Sequence, residues 1–117
     1  MKKKEEWNQF FSAAVDQSFD GIAIADLDYK TMYLNPAWAK MHGYDSAEEL
    51  IGKPIDIFHN REQIEKDVKP FIQVVKEKGK HTGEMRHIRK DGTPFSTLLT
   101  TTLLKDAQET PIAILNI

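Results

Sequence analysis

The sequence predicts an α+β domain, a five-stranded antiparallel sheet with helices packed over one face and a further helix at the N-terminus. Three observations carry this. Five segments rich in β-branched and apolar residues, at 21–25, 31–34, 81–90, 93–105 and 112–117, are bounded by Asp, Gly and Pro turns. Two others, 4–18 and 61–78, carry apolar residues at helical spacing. Between the second strand and the long helix, NPAWAKMHGYDSAEELIGK (35–53) crowds several helix starts and stops together. Helices that short are marginal alone and must lie on something, here the sheet.

Taken in order, residues 4–18 place Trp7, Phe10, Phe11, Ala14 and Val15 on one helical face. That stripe needs a cover. It either caps this domain's own core, which is the expectation, or packs on a second copy of the chain. Asp20-Gly21 breaks the chain. GIAIA (21–25) reads as a buried strand, 26–30 as a turn and TMYL (31–34) as the antiparallel partner. Asn35 can cap a helix that begins with Pro36, and Gly43 can end it. Ser46 and Glu49 have capping-box spacing, and Gly52 with Pro54 stops that second turn. IDIF (55–58) offers Ile55, Ile57 and Phe58 to the core. Asn60 and Gln63 form the next capping box, opening a helix with Ile64, Val68, Phe71, Ile72 and Val75 on one face. Glu62–Lys66 and Glu65–Lys69 are favourable i, i+4 pairs. Pro70 inside this helix predicts a kink or break near 66–69. Gly79 ends it. Asp91-Gly92 joins two long strands as a hairpin, with the Phe95, Thr97, Leu99, Thr101 and Leu103 face inward. IAILNI (112–117), apolar on both faces, belongs in the middle of the sheet.

The chain has 117 residues, enough for one domain with one core. Its 40% hydrophobic and 29% charged residues are those of an ordinary globular domain. A net charge of −2 gives no electrostatic case for nucleic acid or an anionic membrane. The absence of cysteine excludes disulfides, thiolate nucleophiles and cysteine-bound zinc. No apolar run approaches a membrane span and no signal peptide is visible, so the expected location is the cytoplasm. Neither phosphate-binding glycine loop is present. His81 and His87 lie six residues apart on one strand, about 20 Å at ~3.3 Å per residue, and cannot share a metal. His42 has no partner one helical turn on, and His59 reads as an exposed neighbour of a cap. No catalytic residue and no metal site are therefore assigned.

Three motifs resemble the PAS domain, a sensory module of signalling proteins: GIAIADLD, YLNPAWAKMHGYDSAEELIGK and GEMRHIRKDGTPF. The second holds Asn35, Pro36, Ala37, Gly43, Tyr44, Glu49, Leu50, Gly52 and Lys53 at family positions. The third holds Gly83, Glu84, Arg86, Arg89, Lys90, Asp91, Gly92 and Phe95. The likeness spans roughly residues 12–117. It implies strand order 2-1-5-4-3, a pocket between the helices and the inner sheet face, and dimerisation through the N-terminal helix. Two departures stand out. Tyr29 occupies a turn position where the family often has Gly, and His81-Thr82 precede Gly83 where an aromatic is common.

The resemblance also implies cofactor classes. The light-sensing flavin branch forms a cysteine adduct and is excluded here. Haem is disfavoured because 61–78 contains no His. A flavin held without an adduct stays open, with Asn35 and Trp38 able to contact its ring. The domains expected are 1–18, an amphipathic helix, and 19–117, the PAS core. The expected function is that of a sensor in a multidomain histidine kinase or cyclic-dinucleotide enzyme. A small ligand would be lined by Trp38, Met41, Phe58, Val68, Ile72, Val75, Met85, Leu99, Thr101 and Leu115. Trp7, Phe10, Phe11 and Ala14 would form a homodimer contact. The other reading is a ligand-free dimerisation and relay module, in which the same large residues simply fill the core.

Overall fold

The computed structural model describes residues 4–117. Residues 1–3 of the expected 1–18 helix lie outside the described residues. The elements run α1 (Lys4–Asp16), β1 (Ala23–Ala25), β2 (Thr31–Leu34), α2 (Pro36–Met41), two 3-10 turns (Glu48–Leu50 and Ile55–Phe58) and α3 (Arg61–Gln63). A π-turn (Ile64–Val68) follows, then α4 (Lys69–Lys78), β3 (Lys80–Ile88), β4 (Pro94–Lys105) and β5 (Pro111–Asn116). The five strands form one antiparallel sheet in the order β2-β1-β5-β4-β3, so the apolar last strand is central as its pattern requires.

Cross-strand register decides which face each residue serves. Ala23 pairs with Asn116, Ala25 with Ile114, Thr101 with Asn116 and Leu103 with Ile114. These and Leu99 face the helices, with Leu34, Trp38, Leu50, Phe58, Val68, Phe71, Val75 and Met85 completing the core. Leu98 points the other way and is exposed. Strand β1 is shorter than the expected 21–25 because Ile22 pairs with Asn35 instead of with a strand. The Ile22 N–H donates to the Asn35 side chain, and the Asn35 N–H donates to the Ile22 carbonyl.

The long helix tolerates Pro70 without breaking. A π-turn, closed by the Lys69 N–H on the Ile64 carbonyl, widens the backbone just ahead of the proline. Pro70 then sits in the first turn of α4, where its missing N–H matters least. The predicted kink is thus realised as an inserted residue. The Asn60–Gln63 capping box is present, as are both i, i+4 ion pairs. The Ser46–Glu49 box is not. The turn begins after Ala47 without a side-chain cap, Ser46 Oγ accepts from the Glu48 N–H, and Glu49 instead faces Lys90 at 3.8 Å.

Three hairpin turns share one geometry, a four-residue turn whose last residue has positive φ. These residues are Tyr29 (φ 64), Gly92 (φ 87) and Glu109 (φ 65). In the first and last, an aspartate (Asp26 or Asp106) accepts two backbone N–H groups and holds the turn. A non-glycine residue there is strained by about 1–2 kcal/mol. Glu109 is exposed and its carboxylate contributes nothing to the turn's hydrogen bonds. Glu109→Gly is therefore expected to raise the urea-unfolding free energy by about 0.5–1 kcal/mol, net of glycine's extra unfolded-state entropy. No gain, or a loss, would show that the turn is not strained.

The N-terminal helix departs from expectation. Trp7, Phe10 and Phe11 are 45%, 53% and 60% exposed, and Ala14 is exposed too. The stripe does not cap this domain's own core. Its rings pack on one another, Trp7 stacking on Phe11 at 5.8 Å.

Candidate functional site

Between α4, the Ile55–Phe58 turn, α2 and the inner sheet face lies a cavity of about 40 Å³. Trp38, Phe58, Val68, Ile72, Met85, Leu99 and Thr101 line it, as the sequence predicts. Four other predicted residues stand elsewhere. Leu115 pairs with Ile24 and Thr102 on the opposite sheet face, so Ile114 and Asn116 take the lining role. Here the even-odd alternation of β5 was misassigned by one residue. Met41 is 40% exposed and borders a second depression, with Phe19 and Ile117, that shares Trp38, His87 and Leu99 with the cavity. Val75 is buried one helical turn beyond the cavity and borders another recess with Leu27. Asn35 is fully buried beneath the helices as a structural hub.

That hub is fully used. Asn35 Oδ1 accepts from Ile22 N–H (2.9 Å) and Trp38 N–H (3.0 Å). Its Nδ2 donates to the carbonyls of Val15 and Asp20, both at 2.9 Å. One side chain thus caps α2 and ties it to the end of α1. No donor or acceptor is left over for a cofactor ring.

Sequence reasoning missed the polar wall of the cavity. His59 and His87, far apart in sequence, line it, and His42 stands behind His87. His42 lies one turn beyond Trp38 and stacks on it at 4.8 Å. His87 shares the inward parity of Met85, and both are buried. His42 Nε2 and His87 Nδ1 are 2.7 Å apart, and the His59 and His87 rings meet edge to face at 4.5 Å. His59 is partly buried, not an exposed cap neighbour. The available signal was that His42 follows a core Trp by four residues and His87 follows a core Met by two.

Hydrogen-bond partners fix the protons. His42 Nδ1 is 2.8 Å from the Trp38 carbonyl, which can only accept, so Nδ1 carries the proton. Burial, outweighing that carbonyl, pushes the His42 pKa down to about 4, so the ring is neutral at pH 7 and its Nε2 is a bare acceptor. His87 Nδ1 must then donate to it. Burial first, then the neighbouring His59 and His42, depress His87 further still. Its Nε2 is left as a buried lone pair with no partner among the described residues. His59 repeats the pattern: Nδ1 donates to the Arg86 carbonyl at 2.9 Å, and burial lowers its pKa. The Trp38 Nε1–H is a second buried group without a partner. Beside the site, Arg86 makes a two-pronged ion pair with Asp67 (2.6 and 3.0 Å), pinning the π-turn to β3 and holding the Asp67 carboxyl below its usual range. Arg86 thus pairs across to the helix and not with Glu84.

The cavity has room for a few waters or one very small organic molecule. An isoalloxazine or porphyrin ring is far larger, so the residues as arranged fit neither flavin nor haem. Among the described residues, no charged side chain lines the cavity. Among the described residues, no helix is long and apolar enough to cross a membrane.

Comparison with known proteins agrees with this architecture. The family model for the PAS domain matches residues 20–117. A solved PAS domain from Colwellia psychrerythraea superposes with a TM-score of 0.85 at 26% identity, covering 94% of this chain and 92% of that one. An RNA-binding light-oxygen-voltage receptor superposes with a TM-score of 0.84 at 18% identity; 99% of this chain is covered, but only 34% of the receptor. A PAS domain from a two-component sensor histidine kinase gives 0.78 at 17% identity, with 97% and 96% covered. At those lower identities the likeness is one of fold alone.

Proposed function

This chain belongs to the PAS domain family, and on that premise we propose that it is the sensor module of a multidomain signalling protein, of histidine kinase or cyclic-dinucleotide type. It works in the cytoplasm and carries no catalytic activity of its own. The observation that carries the reading is the small, uncharged cavity lined by two residues, Trp38 and His87, that each hold a buried polar atom without a partner among the described residues. A buried group without a partner is costly to keep, and a ligand that satisfies it gains what the empty protein lacks.

The route out of the cavity is short. Trp38 lines the cavity from α2, His42 at the end of that helix meets His87 behind it, and Asn35 caps the helix while holding the last turn of α1. A shift of α2 is therefore felt at α1. The exposed Trp7, Phe10, Phe11 and Ala14 stripe is the face through which two copies pair, and an effector in the same parent chain reads that pairing. Signalling needs only that ligand binds one arrangement of the pair better than the other. In sedimentation velocity the wild-type chain should shift from monomer to dimer as concentration rises. A Trp7→Ser/Phe11→Ser variant should stay monomeric with its core circular dichroism unchanged. Equal association of both would place the dimer contact elsewhere.

The cavity's small volume favours a second reading, a relay module without ligand whose core is simply full. Methyl-resolved NMR separates the two. Small neutral compounds added to the whole chain should move the Met85, Val68 and Leu99 methyl signals saturably if the cavity is a receptor. None will do so if it is only a core.

A further inference from the structure

We propose that the cavity is specific for a small neutral hydroxyl compound and that His87 Nε2 is the atom that recognises it; this rests on the sensor reading above. The Trp38 carbonyl forces the proton onto His42 Nδ1, His42 Nε2 forces one onto His87 Nδ1, and the lone pair of His87 Nε2 is left buried and without a partner among the described residues, on a ring that lines the cavity. His87 is 1% exposed and His42 is fully buried, so bulk water does not serve this nitrogen. A ligand must bring a donor to it.

The second unpartnered group, Trp38 Nε1–H, is a donor on a ring whose centre is 5.8 Å from that of His87. A hydroxyl is the smallest group that can donate to the first and accept from the second. An ether or ketone can only accept and leaves His87 unsatisfied. An ammonium or carboxylate would be buried without a counter-charge, because Trp38, Phe58, Val68, Met85 and Leu99 dominate the wall. The volume limits the rest of the molecule to a short apolar tail. Recognition at His87 also pulls on the relay itself. Through His42 it reaches the Trp38 carbonyl, hence α2 and the Asn35 link to α1.

The test compares 2-propanol with acetone, which share a carbon–oxygen skeleton and differ in the donor. Both are titrated into the whole chain labelled at methyls and at histidine nitrogens. Propanol should shift the Met85 and Val68 methyls together with His87 Nε2. Acetone should bind at least about tenfold more weakly, or 1.4 kcal/mol. His87→Phe should bring the two within about twofold; if it does not fold, the wild-type His87 nitrogen shift decides alone. Equal affinities overturn the proposal, as do methyl shifts without a His87 response, while leaving the sensor reading intact. The same holds if His87 Nε2 is hydrogen-bonded already and unmoved by alcohol, because a water is then its occupant. If neither compound moves a methyl, both readings fall.

Discussion

Replacing Asn35 with Ala should cost about 3–5 kcal/mol of folding free energy, read by urea unfolding at pH 7. The side chain is wholly buried and makes four hydrogen bonds, two as acceptor and two as donor. Its removal strands the Ile22 and Trp38 N–H groups and the Asp20 carbonyl, while the Val15 carbonyl keeps the Ser18 N–H, and each stranded buried group costs about 1–3 kcal/mol, offset in part where water can enter. Asn35→Asp is the more informative variant. It keeps both acceptors, so the α2 cap survives, but it sets a carboxylate oxygen against the Val15 and Asp20 carbonyls. That should be at least as costly and should release α1 first. Hydrogen exchange should accelerate in residues 8–18 ahead of the sheet. If Asn35→Asp is nearly neutral, the tie between α1 and the cavity is not what holds α1.

Acid should unfold the chain earlier than its carboxylates alone require. The folded pKa values of His42, His87 and His59 lie below the unfolded value of about 6.5. A group of that kind contributes stability that is complete above the unfolded pKa and is lost as pH falls through it, because the unfolded chain takes up protons that the folded one refuses. Each such histidine costs up to about 1.4 kcal/mol per pH unit. His42 does so down to about pH 4 and His87 beyond it. Together they should remove about 3 kcal/mol between pH 6 and pH 5. Against the usual total of about 5–15 kcal/mol, that is enough to bring on unfolding near pH 4–5. Asp67, held by Arg86, adds to the loss only at lower pH. A His42→Phe/His87→Leu variant should lose most of this slope, leaving the His59 share. A wild-type profile flat from pH 7 to 5 would mean that the imidazoles are not buried neutral.

Period and punctuation made most of the fold legible. The inward face of β4, the Asn60–Gln63 capping box and the central place of β5 all follow from residues read locally, because each rests on near neighbours in sequence. The failures were of two kinds. Leu115 was misplaced because Ile112, Ala113, Ile114 and Leu115 are all apolar, so only pairing with Ala23 and Ala25 settles which residues face in. The histidine wall was invisible because its contacts span 45 residues between His42 and His87, a distance that no local pattern bridges. The α1 stripe was legible as amphipathic, but amphipathicity says that a face needs a cover and not which molecule supplies it.

What is proposed for the cavity depends on which nitrogen of His87 holds the proton. A long-range proton–nitrogen correlation spectrum of the nitrogen-labelled chain at pH 7 reads this directly, with no variant and no ligand. The structure requires neutral rings at His42, His59 and His87, each protonated on Nδ1, with the His87 Nε2 resonance that of a bare lone pair. A proton on His87 Nε2, or a charged imidazolium at either His42 or His87, would contradict it. The cavity would then present a donor in place of an acceptor, and the case for a hydroxyl ligand would be lost.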